Sequence, residues 1–196
     1  MVDIRVVSSE KDLPARDDVR SLYAAAAGRP PLNEPASSAE LFASVYEASV
    51  KSERVIAVAG IDEERLVAFA YGHPWLWEEQ DYPWAQELHD RLGDDAPGLD
   101  GTYSLNLLAR DPAERYRGLG RAVLTRWLRA IGDRPCWLQT SDVDSPARRL
   151  YSSLGFKTVG HGPDAPNGRP GLVLVRLGPD AGGVVKECRG PANRAD

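Results

Sequence analysis

Apolar and polar positions alternate with period two over Tyr103–Ala109, so that Tyr103, Leu105, Leu107 and Ala109 face one way and Ser104, Asn106 and Leu108 the other. A segment this apolar reads as a central strand, and Pro112, which lacks an N–H, ends its ladder. From Leu119 the period becomes helical: Leu119, Val123, Leu124, Trp127, Leu128 and Ile131 share one stripe, which places the helix start near Gly118 to Gly120. Upstream, Ile4 to Val7 predicts a short strand. A helix follows from about Pro14 to Ala27 with Val19, Leu22, Tyr23 and Ala26 on its buried face. The proline-rich run 28–36 (GRPPLNEPA) is a loop, and Ser37 with Glu40 forms a capping-box pattern for a second helix that carries Leu41, Phe42, Val45 and Tyr46.

Arg54 to Gly60 and Leu66 to Gly72 are strand-like and flank a polar turn, which predicts an antiparallel hairpin. The next stretch, about 74–100, mixes Trp75, Trp77, Tyr82 and Trp84 with Glu78, Glu79 and Asp81. Aromatic faces beside acids suit an organic cation. The alternative is an inserted helix, lined by Trp84, Leu88 and Leu92, whose aromatics pack on the sheet while its acids are solvated. After the helix at Leu119, Cys136 to Ser141 predicts a strand. Ser145 and Pro146 are the cap and first residue of a helix with Ala147, Leu150, Tyr151 and Leu154 on one stripe, stopped by a left-handed Gly155. Lys157 to Gly160 and Leu172 to Leu177 are the last two strands, joined by a proline- and glycine-marked connection. Residues 178–196 lack periodicity and read as a mobile tail on a single domain spanning 1–177.

Composition narrows the function classes. A net charge of -5 and a pI near 5.3 argue against nucleic-acid binding by bulk electrostatics. No apolar run of membrane-spanning length and no signal-type N-terminus occurs, so no membrane association and a cytoplasmic location are expected. Cys136 in a strand and Cys188 in the tail suggest neither a disulfide framework nor a metal site, and Cys136 reads as a packed thiol.

The chemistry concentrates where the central strand turns into the helix at Leu119. A helix start presents up to four unpaired N–H groups and the positive end of its dipole, and Gly118 and Gly120 lack the Cβ that would keep a phosphate from the backbone. No Lys-Ser or Lys-Thr pair follows the glycines, which excludes a P-loop. A dinucleotide fingerprint fails too: Val123 stands where its third glycine belongs, and no strand ending in an acid follows at about 20 residues.

Arg115-x-x-Gly118-x-Gly120, just after Pro112, resembles motif A of the GNAT superfamily of N-acetyltransferases, and Asp144 to Phe156 resembles motif B through Ala147, Leu150, Tyr151, Gly155 and Phe156. Asp144 stands where the family usually has Asn. The resemblance implies an α/β (α+β) fold with a mixed, mostly antiparallel sheet of six to seven strands, helices on both faces, and a splay between the two central strands that end near Arg110 and Ser141. It implies acetyl-CoA as co-substrate and no metal. By motif position, the main chain of Leu108, Ala109 and Arg110 would pair with the pantetheine arm, and Arg115, Tyr116, Arg117, Gly118, Leu119, Gly120 and Arg121 would surround the pyrophosphate, with Asp144 completing the cofactor set. An arginine at position 110 departs from the usual aliphatic residue, so its side chain must find water or an acid.

The activity implied is transfer of an acetyl group to a primary amine by direct attack in a ternary complex. The acceptor is a small-molecule amine, with a protein N-terminus or lysine as the alternative, and the chain is a monomer or homodimer. Tyr151 is the candidate acid for the departing thiolate, since a phenol stays protonated at neutral pH; its other reading is a buried helix aromatic. The base is unassigned. Gln139 stands where some relatives have Glu, and no carboxylate occurs from Gly101 to Arg110. Asn106 or Gln139 could orient a water toward His73, Glu78 or Asp142. Loss of the usual base positions leaves a second class open, a non-catalytic acyl-CoA sensor.

Overall fold

The computed structural model describes residues 1–7, 9–52 and 54–178. Its strands are β1 (Asp3–Val7), β2 (Ile56–Asp62), β3 (Arg65–Trp75), β4 (Thr102–Arg110), β5 (Cys136–Ser141), β6 (Lys157–Gly162) and β7 (Gly171–Arg176). Its helices are α1 (Arg16–Ala27), α2 (Ala36–Ser52), α3 (Pro83–Leu92), α4 (Leu119–Ala130) and α5 (Pro146–Ser153). They follow the expected order and form one seven-stranded sheet, β1-β2-β3-β4-β5-β7-β6, in which every pairing is antiparallel except β4–β5. Cys188 and all but the first residue of the expected tail lie outside the described residues. Among the described residues no helix is long and apolar enough to cross a membrane.

Two layers of helices cover the sheet. Val123, Leu124, Trp127 and Leu128 of α4 and Tyr151 of α5 pack on one face against Ala68, Ala70, Leu105, Leu138, Leu172 and Leu174. On the other face, Val19 and Leu22 of α1 and Tyr46 of α2 meet Phe69, Tyr71, Leu107 and Ala109. There α3 adds Ala85, Leu88 and Leu92 against Trp75, Trp137 and Val173. The insertion is therefore a core element. Trp75 is fully buried against Trp137, and the Trp77 indole donates to the Ala96 carbonyl at 2.9 Å, whereas Glu78, Glu79 and Asp81 are exposed. The cation-enclosing alternative finds no support in this packing.

The structure departs from strict alternation in β4. Tyr71 pairs with Leu107 but its neighbour Gly72 pairs with Leu105, which leaves Asn106 as the extra residue of a β-bulge. One inserted residue exchanges the faces of the strand. Tyr103 and Leu105 consequently lie under α4, while Leu107 and Ala109 lie under α1 and α2. Opposite the bulge the backbones come so close that a Cβ on Gly72 would stand 1.9 Å from the Ser104 carbonyl oxygen and 2.7 Å from the Trp127 ring. Glycine is the one residue that fits there.

Helix α2 also differs from expectation. It begins at Ala36, so Ser37 lies in its first turn and does not cap it; the Pro35 carbonyl accepts from the Ser38 N–H, and Glu40 pairs with Arg16 of α1. Proline's fixed φ suits this entry, and the helix starts two residues earlier than a cap at Ser37 would place it. The helix buries Ala39, Ala43 and Tyr46 and leaves Leu41 and Val45 exposed, because α1 and the sheet lie on the side of the smaller residues.

Candidate active site

Strands β4 and β5 pair only at Tyr103–Cys136 and Ser104–Trp137. Beyond Ser104, β4 keeps its ladder to β3 while its other edge has no strand partner, so the main chain from Leu105 to Arg110 borders an opening whose far wall is Leu138–Ser141. This is the expected splay, and the bulge at Asn106 sits where it begins. A strand edge with unpaired N–H and C=O groups is a template for another extended chain. Leu108 and Ala109 face opposite helical layers, which leaves their main chain as the part that borders the opening.

At the end of β4, Asp111 donates its N–H to Val67 and accepts the Ala113 N–H on its carboxylate, and a 3₁₀ turn at Glu114–Tyr116 leads into α4. Gly118 caps this helix at φ 89°, a conformation that favours glycine, and no side chain caps the first turn. The first N–H bonded within the helix is that of Ala122, to the Gly118 carbonyl. The N–H groups of Leu119, Gly120 and Arg121 are the orphan donors of this end. A Cβ on Gly120 would meet nothing nearer than Leu150 at 3.9 Å, so internal packing does not demand glycine there. What the residue leaves free is the approach to those N–H groups.

The motif A side chains divide. Tyr116 is buried, its hydroxyl donating to Asp62 at 2.9 Å and accepting from Arg65, so its ring anchors the loop to the β2–β3 hairpin and only its main chain borders the helix start. Arg115 lies over the Tyr116 ring at 4.7 Å, Arg117 pairs with Glu114 in solvent, and Arg121 donates to the Ser153 hydroxyl at 2.6 Å. The Arg110 guanidinium donates to the Asp111 carbonyl at 2.8 Å and clamps its own turn.

Helix α5 closes the opposite side. The Ser145 hydroxyl accepts the Arg148 N–H at 3.1 Å, Pro146 opens the helix and Gly155 stops it at φ 86°. Asp144 is exposed and pairs with Arg149. Tyr151 is 6% exposed, stands edge-on to Phe156, and has its pKa raised by burial alone, with no hydrogen bond among the described residues bearing on it. The phenol therefore stays protonated at neutral pH.

The five residues considered for proton relay separate cleanly. The Gln139 amide donates to the Pro163 carbonyl at 2.9 Å and fills the space that a Cβ on Gly162 or Gly171 would need, so it pins the β6–β7 connection, while its Oε1 is buried without a hydrogen-bond partner among the described residues. Asp142 bonds His161 and Arg148, which together hold its pKa below the usual carboxylate range, and Glu78 lies in solvent. His73 and Asn106 do come together, with Nε2 and Nδ2 3.3 Å apart, while Asn106 accepts from Ser104. Cys136 is a packed thiol pushed up to about 12 by burial.

One further group lies at this side of the molecule. Glu34, in the α1–α2 loop, accepts a 2.7 Å hydrogen bond from the Tyr23 hydroxyl beside a pocket of about 260 Å³ walled by Ala24, Ala27, Pro35 and Ala39. The loop is tied across to the β6–β7 connection, where Asn167 donates to the Leu32 carbonyl at 2.9 Å and accepts from Ser141 at the end of β5. A single acid in a run of prolines and small residues was the available sequence signal for Glu34.

The helix order, the bulge and the parted central strands make this the GNAT fold, the architecture of the N-acetyltransferases. Among solved structures, the chain is similar to the ribosomal-protein-S18-alanine N-acetyltransferase of Escherichia coli (TM-score 0.58, 19% identity, 95% of this chain and 99% of that one). It is also similar to the aminoglycoside 6'-N-acetyltransferase of Enterococcus faecium (TM-score 0.56, 20% identity, 89% and 96%). A third is YncA of Salmonella typhimurium, described as an acetyltransferase and solved with its cofactor acetyl-CoA (TM-score 0.57, 16% identity, 96% and 99%). At these identities the likeness is one of fold. No protein-family model and no curated protein matches the sequence.

Proposed function

We propose that the protein is an N-acetyltransferase that moves an acetyl group from acetyl-CoA to a small-molecule primary amine by direct attack. The observation that carries this reading is the open edge of β4 leading to the uncapped, glycine-lined start of α4, with the Tyr151 hydroxyl on the facing helix. The donor fits these residues: the β4 main chain offers pairing groups for its amide-bearing arm, and the N–H groups of Leu119, Gly120 and Arg121 suit its pyrophosphate. Main-chain N–H groups of β4 favour the negative charge that develops on the thioester carbonyl, and Tyr151 gives its proton to the sulfur as the C–S bond breaks and the C–N bond forms. The tie between Asn167 and Leu32 spans the end of β5, which supports a small acceptor over a lysine on a folded protein. YncA carries acetyl-CoA on the same fold, and the other two relatives act on a ribosomal protein and on aminoglycosides, so the acceptor is argued here from this chain alone.

Acetyl-CoA should bind near stoichiometrically and raise the melting temperature, an increase that grows with ligand concentration. Gly120→Trp should fold, since the nearest atom to its Cβ is 3.9 Å away, and should lose the shift. A folded variant that binds as the parent does would overturn the site, and thiol release on an amine panel tests the activity itself.

A further inference from the structure

The reaction needs somewhere for the amine's proton to go, and neither central strand offers a carboxylate in the opening. We propose that Glu34, acting through the Tyr23 hydroxyl, takes up the proton that the acceptor nitrogen releases as it is acetylated. This role rests on the acetyl-transfer reading.

Three observations support it. The Glu34 carboxylate is the acceptor of the 2.7 Å bond from Tyr23, and among the described residues no cation pairs with it, in contrast to Asp142 with its two basic partners. Burial raises its pKa, so it takes a proton at higher pH than an ordinary carboxylate, as a base working near neutrality requires. The loop that carries Glu34 is tied through the Leu32 carbonyl to Asn167, and Asn167 in turn accepts from Ser141 on the far wall of the β4–β5 opening, which brings this loop to the end of that opening.

Tyr23 cannot serve as the base itself. Burial, then the charge of Glu34, lifts its pKa far above the ordinary phenol value, and its ring is packed on Phe42 at 4.6 Å. A phenol in that state passes a proton along without keeping it: its oxygen accepts one from nitrogen while its own moves to Glu34. The balance closes. The C–N bond forms and the C–S bond breaks, one proton leaves nitrogen for Glu34, and another leaves Tyr151 for the sulfur. Afterwards Glu34 gives its proton to solvent and Tyr151 takes one from solvent, so both groups regain their starting states with no net proton gained or lost. The groups bearing on this path are Tyr23 of α1, the Ser38 hydroxyl of α2 and Tyr151 of α5.

The test is the pH dependence of turnover for the parent, Glu34→Gln, Glu34→Asp and Tyr23→Phe. It uses saturating acetyl-CoA and the two best acceptors of unequal basicity from a panel of alkylamines, aralkylamines, amino-acid amides and aminoglycosides. The parent should lose turnover as pH falls through a value that is the same for both acceptors, because the carboxylate must be ionised to accept a proton. Glu34→Gln should bind acetyl-CoA as the parent does, lose about 10²-fold in turnover and lose that limb; Glu34→Asp should restore part of both. Glu34→Gln within about threefold of the parent and with the parent's profile overturns the proposal. Should Glu34→Gln fail to fold, Tyr23→Phe breaks the same relay and should show the same loss of turnover and of the acid limb; parent-like behaviour in both readouts overturns the proposal equally. A parent that binds acetyl-CoA yet acetylates no amine overturns the acetyl-transfer reading first, and this role falls with it.

Discussion

Tyr151 shows how far a single residue's chemistry follows from its position. Its place on the apolar stripe of α5 made it a core aromatic by pattern, and motif B made it a candidate acid; the structure shows a buried ring against Phe156 and a hydroxyl with no hydrogen bond among the described residues. Tyr151→Phe removes one hydroxyl and almost no volume, so unfolding and acetyl-CoA affinity should stay as in the parent while turnover falls by roughly 10² to 10⁴. Turnover within about threefold would assign the phenol to packing alone. The motif glycines were legible in the sequence because a left-handed φ at Gly118 and an empty approach at Gly120 are needs that few residue types meet. Glu34 was not. Its role depends on a hydroxyl eleven residues earlier, on α1, and on burial by α2, and one carboxylate in a loop carries no mark of either.

At the scale of elements, periodicity recovered every strand and helix in order, because each buries one face against a neighbour and writes that face into its sequence. It failed at Asn106 for the same reason. A period-two pattern of Tyr103, Leu105, Leu107 and Ala109 is apolar on whichever face is chosen, and with helices on both sides of the sheet an inserted residue leaves no trace in hydrophobicity. The bulge is visible only through its partner. Gly72→Ala would drive a Cβ to 1.9 Å from a backbone oxygen, which a flexible side chain cannot relieve. Urea unfolding should show a loss at the upper end of the roughly 1–3 kcal/mol typical of overpacking, or more, and acetyl-CoA affinity should fall with it because the bulge opens the cleft. Undiminished affinity would detach the bulge from the site.

Across the whole molecule, the β4–β5 opening is a place where a sheet of seven strands has an unfilled row of hydrogen bonds. Amide exchange should find the N–H groups of β4 beyond Ser104 that point away from β3 to be quickly exchanging in the free protein and protected once acetyl-CoA is bound; equal protection in both states would place the donor elsewhere. The opening also divides the sheet mechanically, into β1 to β4 on one side and β5 to β7 on the other, with Tyr103–Cys136 and Ser104–Trp137 as the rungs that join them among the described residues. From Ser104 to Arg110 is about 20 Å of strand. A relative rotation of about 5° at those rungs therefore displaces the far end by about 2 Å, which is lever arm enough to change the alignment of nitrogen and thioester, where a misplacement of about 1 Å costs roughly 10²-fold in rate. Under the acetyl-transfer reading, the packing of Trp137 and Cys136 at this fulcrum sets the rate of a reaction that neither side chain touches.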